Sequence, residues 1–236
     1  MSLSAINGNK PSSAMTAAAA RMDRIGRLKQ AVQTAKPGIC AERALIWTAY
    51  FRDRRNRGKP RAIQAAEALC EVLAHKTVRI YPDELIVGNF VSRRVGGAIY
   101  PELHGVAMLR EIETFPARDV NPLQVTPEDI AALSNITRFW MPRMLAFKTY
   151  RAPWRKMRFL KEQFAPSHYT LNELGGIAHI VPGYARLIAT GTDGIIADAR
   201  TARRQYAPGS ENRAFLDAVI TMAEGLARFG ERYAAE

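Results

Sequence analysis

The chain has 236 residues, 47% of them hydrophobic, and its 34 Lys and Arg against 22 Asp and Glu give a formal charge of +12. That is enough apolar material for one large domain or two small ones, yet no uninterrupted apolar run approaches the roughly 18 residues of a membrane span. The opening residues lack the compact apolar block of a secretory signal.

Two cysteines, Cys40 and Cys70, make no disulfide framework and form no Cys-x-x-Cys pair, so a reducing, cytoplasmic setting is expected and zinc or thioredoxin chemistry is not. The basic excess fits nucleic acid, an anionic surface or an acidic partner chain. It concentrates in two clusters, Arg52, Arg54, Arg55, Arg57, Lys59 and Arg61, then Arg151, Arg155, Lys156, Arg158 and Lys161. No nucleic-acid motif accompanies either, so nucleic acid is the weakest of these readings.

Residues 1–22 read as a flexible leader. The spacing of Met22, Ile25, Leu28 and Val32 predicts a helix to Ala35, closed by Pro37-Gly38. A second helix is predicted over Ala41–Arg54 and, after the turn at Arg57-Gly58-Lys59-Pro60, a third over Ala62–His75. Cys70 lies in the apolar stripe of that third helix as a small hydrophobe. The β-branched runs Val78–Ile80 and Leu85–Val87, around Tyr81-Pro82-Asp83-Glu84, predict an extended segment or small hairpin. Gly88, Gly96 and Gly97 read as residues that free the backbone. A return to helix is expected over Pro101–Ile112. Thr126 with Asp129 predicts an N-cap for a helix through Ile130, Leu133 and Ile136 to Trp140. A basic amphipathic helix follows over Tyr150–Phe164, and Pro166–Gly176 reads as loop. Helices are then expected over Tyr184–Ala189, Ile195–Tyr206 and Asn212–Ala235, with a break at Gly191. The fold class is mainly α with a few short strands.

Three segments, in order, resemble the pyruvate formate-lyase domain of glycyl radical enzymes. The first is Glu42-Arg43-Ala44 with Thr48, Tyr50, Pro60 and Ala65–Leu69. It is similar to a family opening in which an E-R-A-x-x-x-T-x-x-Y helix precedes a G-x-P turn and an R-A-x-A-L helix. The second is Asp83-Glu84-Leu85-Ile86-Val87-Gly88-Asn89, followed by Arg93, Arg94, Gly96-Gly97 and Tyr100-Pro101-Glu102. The third is Gly176-Ile177-Ala178-His179-Ile180-Val181-Pro182-Gly183-Tyr184 with Leu187 and Gly191–Gly194. Phe139-Trp140 with Arg143, and Phe229–Ala234, resemble the family's F-W and F-x-x-R-Y-A elements. Lys59 stands where the family commonly has an acid, and Ala178 where it has glycine. The string Tyr100–Gly105 leans toward the decarboxylase, dehydratase and lyase branches.

The resemblance implies that residues 23–236 are the amino-terminal helical part of a ten-stranded β/α barrel that this chain leaves incomplete. It implies a backbone radical on a distant glycine, installed by an activating enzyme that uses S-adenosylmethionine and an iron–sulfur cluster, and passed to a mid-chain cysteine that attacks substrate. Neither radical residue is recognisable here, and Cys40 and Cys70 lie upstream of where the radical cysteine belongs. No Ser-His-Asp, His-Glu-x-x-His or P-loop pattern replaces them. No catalytic residue, metal ligand or bound cofactor is therefore expected in this chain alone.

His179 either holds a substrate hydroxyl or carboxylate by hydrogen bonding or is a buried structural histidine. His168, Asn172 and His104 are the other candidates for substrate contact. Asp83, Glu84, Gly88, Asn89, Gly96, Gly97, Pro101 and Glu102 are read as structural motif, with Glu102 also placed to shape a pocket. Three readings stay open. The chain is a piece of a radical lyase, partnered by the remainder of the enzyme and by its activating enzyme, and assembled as a homo-oligomer. Alternatively it is a non-catalytic remnant that binds or regulates, or a basic nucleic-acid binder. Taken alone it is expected to expose an apolar patch on its final helix.

Overall fold

A computed structural model of the chain describes residues 13–102, 109, 111–143, 152–163 and 182–236. Its helices are α1 (Ser13–Thr34), α2 (Glu42–Arg52), α3 (Arg61–His75), α4 (Pro127–Trp140), α5 (Pro153–Gln163), α6 (Tyr184–Arg203) and α7 (Glu211–Ala235). Two short strands, β1 (Gly38–Cys40) and β2 (Gly96–Ala98), pair in parallel with Gly38 opposite Gly96 and Cys40 opposite Ala98.

Local chemistry sets the helix ends. Glu42 in the first turn of α2 and Arg52 in its last complement the helix dipole. At α4 the Thr126 hydroxyl accepts the Asp129 amide at 3.1 Å, and Pro127 opens the first turn. The Ser210 hydroxyl caps α7 through the Arg213 amide at 3.3 Å. Within α6, Gly191 sits at φ 63° and ψ −173°, so the element is two helices joined at a kink only glycine accommodates readily.

Packing has two centres. In one, α2 and α4 close with the sheet over Ile39, Ala44, Ile99, Phe115, Leu133 and Trp140, and Phe115 and Leu133 have no exposed surface. In the other, α7 lies along α3 and α6. There Cys70 fills the notch at Gly225 and its thiol donates to the Thr221 carbonyl at 3.2 Å, where a Cβ on Gly225 would overlap the sulfur.

Several sequence expectations change. Of the two alternatives for Val78–Ile80 and Leu85–Val87, the hairpin does not form: residues 77–81 carry no regular structure, 82–83 turn, and bends follow at 85–86 and 90–95. Pro82 has no amide to give a ladder. Asp83 at φ 70° and Gly88 at φ 124° turn the chain, and the Glu84 and Asn89 side chains take backbone groups a ladder would need. The residues following Pro37 do not merely end a helix: Gly38–Cys40 is β1, stapled by the Ile39 amide to the Gln124 carbonyl at 2.9 Å. Within Pro101–Ile112, residues 103–108 and 110 lie outside the described residues, and a 3-10 turn occupies Ile112–Ala117. Helix α1 begins at Ser13, upstream of Met22.

Candidate functional site

Parts of the first two segments that resemble the family, together with Phe229, meet around one cavity though far apart in sequence. On α2, Arg43 makes a two-pronged bond to Glu102 at 2.5 and 3.2 Å, while its guanidinium stacks on Tyr100 (3.8 Å) and Trp47 (4.7 Å). A planar fork suits this double role in a way an ammonium does not. Its neighbour Glu42 accepts the Thr77 amide at 2.9 Å and the Thr77 hydroxyl. One turn on, the buried Thr48 hydroxyl donates to the Ala44 carbonyl and accepts the Trp140 indole N–H at 2.7 Å, joining the opening motif to the F-W pair.

On the next turn, Tyr50 and Lys59 both donate to Glu67 at 2.5 Å. Burial and then the Glu67 carboxylate raise the Tyr50 phenol well above its ordinary range. Burial pushes Glu67 upward, but hydrogen bonds from Lys59 and Tyr50 with the Lys59 charge outweigh it and hold the carboxyl below its usual value. Lys59, the residue that departs from the family pattern, is thus the charge partner of Glu67.

The Asp83–Asn89 loop is pinned at both ends. Arg27 of α1 grips Asp83 at 2.7 and 2.5 Å. Glu84 accepts the Tyr81 amide at 3.0 Å. The Asn89 side chain donates to the Arg93 carbonyl at 2.5 Å and accepts the Val91 amide at 3.3 Å, while its backbone amide donates to the Tyr233 hydroxyl at 2.9 Å. Gly88 has positive φ, but Gly96 is needed for a different reason. A Cβ there would lie 2.5 Å from the Gly38 carbonyl, so β1 and β2 approach only because the side chain is absent. Gly97 has open space, and Pro101 is fully buried.

Between α2, α3, α7 and this loop lies a cavity of about 290 Å³, walled by Leu69, Val72, Phe90 and Phe229 with Arg43 and Lys76. Lys76 is 5% exposed; its ammonium donates to the Thr77 and Asn89 carbonyls at 3.1 and 2.8 Å and faces the Phe229 ring at 5.1 Å. Burial lowers its pKa, with Glu42 acting in the opposite direction. Arg232 donates to the Leu73 and Lys76 carbonyls at 2.5 and 2.8 Å, closing the C-terminus of α3 from α7. These polar groups bind one another and the backbone, and together they wall the cavity.

His179, His168, Asn172 and His104 lie outside the described residues. Lys76 is not singled out by the sequence, and Glu67 enters only as a member of the Ala65–Leu69 motif. A lysine just past a helix end ordinarily reads as a solvated cap, and only its burial marks it. Among the described residues, no three His, Cys, Asp or Glu side chains group as metal ligands, and no helix is long and apolar enough to cross a membrane.

The model of the family described as pyruvate formate lyase-like matches residues 15–236. Isethionate sulfite-lyase from Desulfovibrio desulfuricans is 26% identical over 228 residues, 89% of this chain but 27% of that protein. A solved structure described for 1,2-propanediol dehydration in Roseburia inulinivorans superposes with a TM-score of 0.76 at 26% identity, covering 90% of this chain and 27% of the other. A glycyl radical enzyme from Archaeoglobus fulgidus gives 0.77 at 24% identity, with 89% and 27% covered. The chain therefore spans about a quarter of the length of these relatives. The family match over nearly the whole chain means that this chain belongs to the pyruvate formate lyase-like family of glycyl radical enzymes.

Proposed function

We propose that this chain is the amino-terminal segment of a glycyl radical lyase or dehydratase acting on a small hydroxylated substrate, and that it is not catalytic alone. The observation that carries this is the match over residues 15–236 to relatives of which it spans 27%, among them a sulfite-lyase and a protein of diol dehydration. The radical cysteine and glycine come from the remainder of the enzyme, in the same polypeptide or a companion. A separate activating enzyme holds the S-adenosylmethionine and iron–sulfur cluster that install the glycyl radical.

This segment supplies a wall built on the Arg43–Glu102 bridge and the Lys76 contacts, with His179 as the candidate for substrate contact and His168, Asn172 and His104 as the further candidates. A histidine N–H or lone pair there would orient a substrate hydroxyl and exclude water from it. The assembled enzyme is read as a cytoplasmic homo-oligomer.

The test is anaerobic isolation of the endogenous polypeptide with whatever co-purifies, followed by intact mass measurement and electron paramagnetic resonance after activation. A larger companion, or a polypeptide several-fold heavier than 26.3 kDa, together with a glycyl doublet, is expected. A 26.3 kDa species with no companion and no organic radical would refute the proposal.

A further inference from the structure

The Asp83–Asn89 motif divides by chemistry. Its polar members are satisfied within the chain by Arg27, the Tyr81 amide, Tyr233 and Lys76. Its apolar members are not: Leu85 is 74% exposed, Ile86 93% and Val87 42%, and Phe90 just beyond is 58% exposed. The loop that carries these side chains is tied at both ends, by Arg27 to Asp83 and by Tyr233 to the Asn89 amide. Phe90 is itself held by stacking on Tyr100, centroids 5.9 Å apart and rings 8° from parallel. The Phe90 ring forms one wall of the 290 Å³ cavity, so the exposed loop and the recess adjoin. A fixed apolar ridge beside an apolar-walled recess is the geometry of an interface core and not of a solvated turn.

We infer that loop 84–90 and the adjoining cavity form the docking surface for the remainder of the radical enzyme, the polypeptide that carries the radical cysteine and glycine; this rests on the function proposed above. Two observations favour that occupant over a second copy of this chain. The relatives carry nearly three-quarters of their length beyond the part this chain matches, so chain is available to cover the ridge. Arg79 and Arg94 flank the loop, 5.8 and 4.2 Å from the Tyr81 ring, within a chain of charge +12. A second copy would set like charges against each other, whereas an acidic-rimmed, apolar-centred surface complements them. Leu85, Ile86 and Phe90 are then covered, and an apolar side chain of the occupant seats in the cavity.

The experiment places a photo-crosslinking phenylalanine analogue at position 86, and separately at position 90, in the enzyme as it occurs, and identifies the crosslinked peptides by mass spectrometry. Position 86 is the more exposed, so the variant leaves the fold intact, and the second position guards against an unproductive geometry. Crosslinks to peptides of the remainder are expected from both positions. Crosslinks confined to residues 1–236 of the same or a second copy, crosslinks to an unrelated protein, or none at all would overturn the assignment. The glycyl radical signal of the same preparation reports separately on the parent proposal. Radical present with no crosslink to the remainder sinks the docking surface alone, whereas a 26.3 kDa species without radical or companion sinks both.

Discussion

Replacing Thr48 by Val removes one oxygen from the space around Trp140 and keeps the branched shape. Thr48 is 1% exposed and Trp140 6%, and the indole N–H donates to the Thr48 hydroxyl at 2.7 Å. Val and Thr have similar helix propensity and similar volume, so neither backbone preference nor a cavity obscures the effect. The Ala44 carbonyl loses its hydroxyl donor but keeps its place in the backbone ladder of α2.

What remains is a buried indole N–H without an acceptor, a cost of about 1–3 kcal/mol. For a unit of this size, about 2 kcal/mol corresponds to a loss of roughly 4–8 °C in Tm. Thermal and urea unfolding of the polypeptide as isolated read the change. The decisive comparison is a double-mutant cycle with Trp140→Phe, which has no N–H to strand. In that background Thr48→Val should cost less than about 0.5 kcal/mol, leaving most of the loss as coupling. An equal cost in both backgrounds would show that the hydrogen bond is not what holds these motifs together.

Gly96→Ala places a methyl 2.5 Å from the Gly38 carbonyl and should separate β1 from β2, costing about 1–3 kcal/mol and speeding hydrogen exchange at the Ile39 amide; unchanged exchange would mean the strands can part without loss. Gly191→Ala forces a side chain into φ 63°, ψ −173° and should cost about 1–3 kcal/mol, while Gly26→Ala, with open space in α1, should be neutral or stabilising by up to about 1 kcal/mol. If both alanines stabilise, the α6 kink is not required. Tyr50 favours its protonated form in the folded protein, so its stabilising share is complete below the ordinary phenol pKa of about 10 and falls away only as pH rises through its elevated folded value. Tyrosinate absorbance of the folded protein should therefore match that of Tyr50→Phe throughout the ordinary range; a missing tyrosine's amplitude there would refute the assignment.

The helices were legible because their apolar spacing agrees with their caps: Thr126 with Asp129 at α4 and the break at Gly191 both stand where the sequence puts them. The sheet was not legible. Gly38–Cys40 and Gly96–Ala98 are three residues each, too short to show a period of two, and their pairing depends on an approach that only a missing Cβ at Gly96 permits. The opposite error arose at Leu85–Val87, where the β-branched Ile86 and Val87 left a small hairpin open beside an extended segment. There Pro82, Asp83, Gly88 and Asn89 override that preference, because tertiary hydrogen bonds satisfy the backbone without a ladder. The motif residues could be named from sequence, but not their partnerships. Arg43 and Glu102 are 59 positions apart, and nothing in the spacing of one charge announces the other.

The basic excess takes a different meaning once its members are placed. A surface for phosphates presents its guanidinium and ammonium groups outward and unengaged. In the 52–61 cluster, Arg52 instead donates to the Asn135 carbonyl at 3.0 Å, Arg55 pairs with Asp53 at 2.6 Å, and Lys59 is shared between Asn56 and Glu67. Those three organise the turn between α2 and α3, while Arg54, Arg57 and Arg61 stay exposed. Arg43 and Lys76 are likewise committed inside, to Glu102 and to backbone carbonyls. Cations that hold the fold together still leave the net charge at +12, because their acids are outnumbered. On the docking surface proposed above, the Arg79–Arg94 flank of the apolar loop is where an acidic complement would make contact.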